Sequence, residues 1–83
     1  MTEMQIQESQ VLDTSGLLCP MPVIKTAKAM KTLTGGQVLK LLATDRGSVA
    51  DIPAWAESTG NELLESHEEG DTFVFYLRKQ EEA

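Results

Sequence analysis

QVLKLLAT, the run from Gln37 to Thr44, is apolar through its middle except for Lys40. A run this short and this apolar reads as a strand with both faces at least partly covered. Punctuation bounds it: Gly35-Gly36 stands before it and Asp45-Arg46-Gly47 after it. Working back, the residues from Pro20 to about Leu33 carry helical spacing. Val23, Ala27 and Met30 recur at i, i+4 and i+7, and Ile24 and Leu33 widen the stripe. Lys25, Lys28 and Thr32 fall on the other side, and Gly35-Gly36 closes the segment. Before Pro20, Thr14-Ser15-Gly16 is turn chemistry, and Gln10 to Asp13 is short and compatible with a strand. Working forward, Ser48-Val49-Ala50-Asp51 is a helix start in which Ser48 caps and Asp51 lies near the positive end. That helix runs to about Thr59, with Gly60 as its stop. Val49, Ile52 and Ala56 share a face with Trp55 beside it, and Pro53 predicts a kink or a later start. Glu62 to Glu68 and Thr72 to Lys79 then read as two strands around the turn Glu69-Gly70-Asp71, with Phe73, Phe75 and Leu77 on one face as core.

The order is β-α-β-α-β-β. It predicts an α+β fold: a two-layer α/β sandwich with a four-stranded mixed sheet and two helices on one face. The 83 residues suit one small domain over residues 9–79, with a loose arm from Met1 to Glu8 and a flexible acidic tail over residues 80–83. The formal net charge of −6 argues against broad electrostatic binding to nucleic acid. Nothing approaches the roughly 20 apolar residues of a bilayer span, and Met1 to Gln5 lack a signal peptide's basic and apolar parts. A cytoplasmic protein without membrane association is expected. The composition offers one cysteine and one histidine, too few for an internal disulfide or a structural zinc site. His67 reads as an ordinary surface or edge residue of a strand.

The one cysteine sits in Leu17-Leu18-Cys19-Pro20-Met21-Pro22-Val23. Proline suits the first position of a helix, so Cys19 is expected at or beside the N-cap. Free amides and the helix dipole there favour a thiolate, so a lowered pKa is expected, with Lys25, Lys28 and Lys31 adding positive charge along the helix. Pro22 stiffens the first turn and leaves the amides of Met21 and Val23 to face the sulfur. A lone cysteine among apolar residues is often only a small buried hydrophobe, but Cys-Pro-x-Pro at a helix start after a glycine turn favours the reactive reading. Neither a Cys–His pair nor C-x-x-C is present, which leaves hydrolase and dithiol chemistry without their parts. A single activated thiol can still accept and pass on one atom, and sulfane sulfur carried as a persulfide fits that task. The competing reading is a non-catalytic interaction or regulatory module whose thiol is structural or senses oxidation. Trp55 is expected to pack; Met21 reads equally as filler or as soft docking surface.

LDTSGLLCPMPVIKTAKAM, followed by DRGSVADIPAWAESTGNELL and FVFYLRK, resembles the TusA/SirA family of sulfur carrier proteins over about Leu12 to Lys79. The frame D-x-x-G-L-x-C-P and the later D-I-P-x-aromatic and T-G-x-E-L segments carry the resemblance. It implies the same β-α-β-α-β-β fold and a persulfide on Cys19, framed by Gly16, Pro20 and Pro22, with no cofactor and no metal. It also implies a cysteine desulfurase or rhodanese as sulfur donor, and a DsrE-like or other sulfur-accepting protein downstream. The outlets it implies are transfer RNA thiolation, cofactor assembly and cytoplasmic sulfur trafficking during sulfur-compound oxidation. Asp13 matches the turn before the motif, and Asp45 matches an acidic position used in partner contact. Met21, Lys25, Lys28 and Arg46 join Asp45 as candidate partner-binding residues. Two positions depart from the pattern: Arg46 follows Asp45 where relatives often have proline, and Ala50 precedes Asp-Ile-Pro where relatives of the transfer-RNA type often have a basic residue. The second departure weakens the transfer-RNA outlet; Arg46 is the nearby charge that could substitute.

Overall fold

A computed structural model describes residues 7–81. Six elements follow one another: β1 (Gln10–Thr14), α1 (Met21–Met30), β2 (Val38–Ala43), α2 (Ser48–Thr59), β3 (Glu62–Glu69) and β4 (Thr72–Arg78). The strands form one sheet in the order β1-β2-β4-β3, with β1 and β2 parallel and the other pairs antiparallel. This is the mixed four-stranded α+β sandwich that the sequence pattern predicts. Residues 1–6 of the expected arm and 82–83 of the expected tail lie outside the described residues. Ser9 N–H bonds to the carbonyl of Val38, and Gln80 N–H to Asn61 Oδ1.

The period of two along the strands decides what is buried. Leu39, Leu41 and Ala43 of β2 stand opposite Leu77, Phe75 and Phe73 of β4, and all six lie in the core. Ala29, Met30 and Leu33 from the α1 segment and Ile52 and Ala56 of α2 cover them, with Leu12, Val23, Trp55 and Leu63 packed at the margin. Trp55 is thus the packing residue its place in the sequence predicts. The outer sheet face is covered in part by its own side chains. Lys40 Nζ sits 5.7 Å from the centre of the Tyr76 ring, and the His67 ring stacks on Tyr76 at 6.5 Å.

Both helices differ in detail from their sequence readings. The stripe that α1 buries is Pro22, Thr26, Ala29 and Met30; Val23 and Ala27 are only half-buried, and Ile24 is exposed. The helix lies against β1 and β2 through its small residues, which a search for large apolar side chains passes over. It ends at Met30 rather than near Leu33, because the amides of Thr32 and Leu33 bond three residues back, to Ala29 and Met30. Lys79 Nζ also donates to the Met30 carbonyl, at 2.7 Å. In α2 the N-cap is Gly47 and not Ser48, which is the first helical residue, buried, and makes no side-chain cap bond. The amides of Ala50 and Asp51 both reach the Gly47 carbonyl instead. The helix continues through Pro53, whose missing N–H would have met the carbonyl of Val49, an exposed residue that water can serve. Gly60 ends it in the left-handed region, φ 81°, where glycine carries no steric penalty. No helix among the described residues is long and apolar enough to cross a membrane.

Candidate functional site

Residues 26 to 32 positions apart meet at Cys19 because of how β1 and β2 end. The strands are parallel neighbours, and Asp13 and Thr14 stand level with Leu42 and Ala43. The chain therefore leaves both strands side by side at the same edge of the sheet, the edge where α/β proteins commonly place their sites. After β1, Ser15 N–H bonds to Asp13 Oδ1 and Leu17 N–H to the Thr14 carbonyl, which turns the chain. The Ser15 side chain and, after it, the Ser15 N–H bond hold the Asp13 carboxyl below the usual aspartate range. Gly16, at φ 84°, donates its N–H to Thr44 Oγ1 at 2.8 Å, tying the two loops together. The Thr14 hydroxyl adds a bond to the Leu42 carbonyl.

The loop after β1 presents Cys19 in the open; the thiol is free and exposed. The loop after β2 and the first turn of α2 each bring a carboxylate to it. Cys19 N–H donates to Asp45 Oδ2 at 3.1 Å, and the thiol itself donates from Sγ to Asp51 Oδ2 at 2.9 Å. Gly47 closes the corner. A Cβ there would stand 3.0 Å from Asp45 Oδ2 and 3.7 Å from the Cys19 Cβ, so a side chain would press on the very carboxylate that holds the cysteine backbone.

This geometry corrects the expected start of α1. Pro20 is the N-cap rather than the first helical residue, Met21 is the first and Pro22 the second, and Cys19 stands beside the cap, as expected. The Met21 N–H is not available to the sulfur, because it bonds to the Leu18 carbonyl at 2.9 Å. The Cys19–Pro20 peptide is cis. The expected direction of the thiol pKa is overturned as well: it is raised, first by the hydrogen bond to Asp51, then by partial desolvation and by the charges of Asp51 and Asp45. A carboxylate touching the thiol prevails over a helix dipole one residue away and over lysines that begin a turn later.

The structure thus joins Cys19, Pro20, Gly16 and Asp45, with Gly47 and Asp51 added. Pro22 is buried beneath this corner, and Met21 is 39% exposed beside it. Lys25 and Lys28 are exposed on α1, the nearer of them a full turn into the helix. Arg46 points elsewhere: its guanidinium lies 5.8 Å from the centre of the Phe73 ring, at a cavity of about 200 Å³ that Val49, Ser66 and Phe75 also line. Two participants escaped the reading of the sequence. Asp51 was visible only as the acid of a helix start, and Leu18, 70% exposed, only as an apolar neighbour of the cysteine.

Known proteins share this chain's sequence and fold. A family model described as Sulfurtransferase TusA matches residues 10–79. The sulfur carrier protein TusA of Allochromatium vinosum is 51% identical over 70 residues, which cover 84% of this chain and 92% of that one. The putative sulfur carrier protein YrkI of Bacillus subtilis is 46% identical over 74 residues, covering 89% of this chain and 99% of that one. The putative sulfur carrier protein YrkF of the same organism is 55% identical over 69 residues, 83% of this chain, but the match spans only 37% of that longer protein. Among solved structures, a SirA-like protein from Desulfitobacterium hafniense superposes with a TM-score of 0.76 at 26% identity, over 87% of this chain and 99% of that one. With 70 consecutive residues matched and the motif cysteine at the open corner of the sheet, this chain belongs to the TusA family.

Proposed function

We propose that this chain is a sulfur carrier that accepts sulfane sulfur as a persulfide on Cys19 and relays it to a partner protein. The observation that carries the reading is the lone thiol, exposed at a corner built by Gly16, Asp45 and Gly47, in a chain of the TusA family. An exposed sulfur supports a carrier over a module with a buried structural thiol. In uptake, Sγ attacks the outer sulfur of a donor persulfide. The new S–S bond forms as the donor's own S–S bond breaks, and the donor leaves as a thiol carrying the proton that Sγ gave up. Delivery is the same exchange in reverse, with an acceptor cysteine as the attacking group.

The donor in this reading is a cysteine desulfurase or a rhodanese, and the acceptor a DsrE-like or other sulfur-accepting protein, all cytoplasmic. The chain's sulfurtransferase activity is exercised with those enzymes. Leu18, Met21 and Ile24, exposed around the cysteine, offer an apolar docking rim, and the charges of Asp45, Lys25 and Lys28 orient the partner. Arg46 joins them only through its cavity beside Phe73. Sulfur-compound oxidation and cofactor assembly are favoured as outlets over transfer RNA thiolation, because Ala50 supplies no charge before Asp51. Mass spectrometry of the full chain after incubation with a persulfide donor should show one added sulfur atom, absent in Cys19→Ser. A wild-type chain that gains no sulfur on Cys19 would refute the relay.

A further inference from the structure

The bond from Sγ to Asp51 Oδ2, 2.9 Å long, exists only while the sulfur carries a proton. A persulfide on Cys19 has no proton there: the S–S bond has replaced S–H, and the acidic proton or the negative charge has moved to the outer sulfur. We propose that Asp51 is a positioning residue that latches the empty thiol and lets go when sulfur is loaded, so that the direction of the Cys19 side chain reports its cargo. The inference rests on the persulfide reading given above.

The chemistry of the latch follows from what surrounds the sulfur. Asp51 faces it from the first turn of α2, and Asp45 from the loop after β2. From its own side, α1 has no acidic residue in its first turn, its first basic residue is Lys25, and Arg46 is turned onto Phe73. Among the described residues, no opposing charge therefore relieves the two carboxylates at the thiol. The empty carrier is held as the neutral thiol, a poor nucleophile toward stray electrophiles and oxidants. On loading, Sγ bonds to the donor's outer sulfur, the donor's S–S bond breaks, and the proton of Sγ leaves with the donor's sulfur. The latch has then lost its donor. The outer sulfur is anionic, and Asp51 and Asp45 repel it, so the cargo swings away from α2 toward solvent and an approaching acceptor. One carboxylate thus guards the empty state and expels the loaded one.

The test reads alkylation of Cys19 by iodoacetamide against pH in the full-length chain. Asp51→Asn removes the charge; the profile should shift to lower pH, with alkylation several-fold faster than wild type at pH 7. Asp51→Glu keeps a carboxylate and should stay nearer wild type, and Asp45→Asn should shift the profile the same way by less. After loading with glutathione persulfide, wild type and Asp51→Asn should alkylate alike at pH 7, because the latch is already open. A wild type that loads while the Asp51→Asn profile superimposes on its own overturns the latch and leaves the relay standing. Loaded forms that differ as much as the empty ones overturn the release. A wild type that takes up no sulfur overturns the relay reading and the release step with it.

Discussion

The chain's one cysteine and one histidine each stand against two carboxylates, and the two places use that arrangement differently. Cys19 faces Asp45 of the loop after β2 and Asp51 of α2, 26 and 32 positions further along the chain. His67 faces Glu65 and Glu69, its own neighbours two residues away on β3, with Nδ1 2.9 Å from one and Nε2 2.8 Å from the other. A hydrogen bond to a carboxylate, aided by its charge, raises both pKa values. The outcome is opposite in charge. A raised pKa favours the neutral thiol, whereas for the imidazole it favours the cation, whose charge balances its own strand. The histidine arrangement is local, requires only the period of two along a strand, and stacks on Tyr76 as part of the sheet's outer face. The cysteine arrangement requires the fold. It exists only because β1 and β2 run parallel and end level, so it is the one expected to vanish first when the fold is loosened.

The largest effect we expect tests that dependence. Leu41 is fully buried at the centre of the core, on β2 and opposite Phe75. Leu41→Ala should cost about 2–5 kcal/mol, a large share of the roughly 5–15 kcal/mol that holds a domain folded. Urea denaturation would measure it. In the partly loosened protein the thiol should alkylate faster at neutral pH as its carboxylates are lost, while His67 keeps an elevated titration by nuclear magnetic resonance in whatever fraction retains β3. Equal loss at both places would break the distinction between a local and a fold-dependent arrangement.

The same distinction explains what could be read from the sequence. Phe73, Phe75 and Leu77 declared a buried face by alternation alone, and Gly60 declared a helix stop by its chemistry. The end of α2 at Thr59 followed from the glycine just beyond it. The α1 face was misplaced because Pro22 and Thr26, which are buried, are not large apolar residues, while Ile24, which is, faces outward. Ser48 looked like a cap because the motif was right, but the chain turned one residue earlier, at Gly47. Cys19 and its proline frame were legible as a motif. Its acidity was not, because the deciding group is Asp51, 32 positions away along the chain. No rule of spacing gives that contact; the parallel register of two strands does.

A smaller effect separates stability from site electrostatics. Thr26 is fully buried on α1, and its hydroxyl has no hydrogen-bond partner among the described residues. A buried hydroxyl without a partner is a cost that valine, of nearly the same shape, does not carry. Thr26→Val should raise the unfolding free energy by about 1 kcal/mol, read from the urea midpoint. The alkylation profile of Cys19 and the titration of His67 should both stay where they are. A shift in the thiol profile alone would mean that the α1 face and the latch are coupled through packing.

The smallest effect sets the two places side by side in one measurement. For His67 the hydrogen bond to Glu69 is the main cause of the raised pKa, opposed by desolvation and helped by Glu65. The folded state therefore binds its proton more tightly than the unfolded chain, whose histidine titrates near 6.5. The stabilisation is complete below about pH 6.5 and is lost as pH rises through the folded value. Both partners are largely exposed, so it amounts to no more than about 1 kcal/mol. Cys19 has the same sign in a higher window: its raised pKa stabilises the fold below the ordinary thiol range near 8.5, and that gain is lost as pH climbs through the folded value. Stability against pH should then show two separable descents. Glu65→Gln with Glu69→Gln should flatten the neutral one, and Asp51→Asn the alkaline one, each leaving the other in place. If either change moved both descents, the two carboxylate pairs would be parts of one charge network spanning the sheet, and the thiol's resting state would respond to the protonation of its far face.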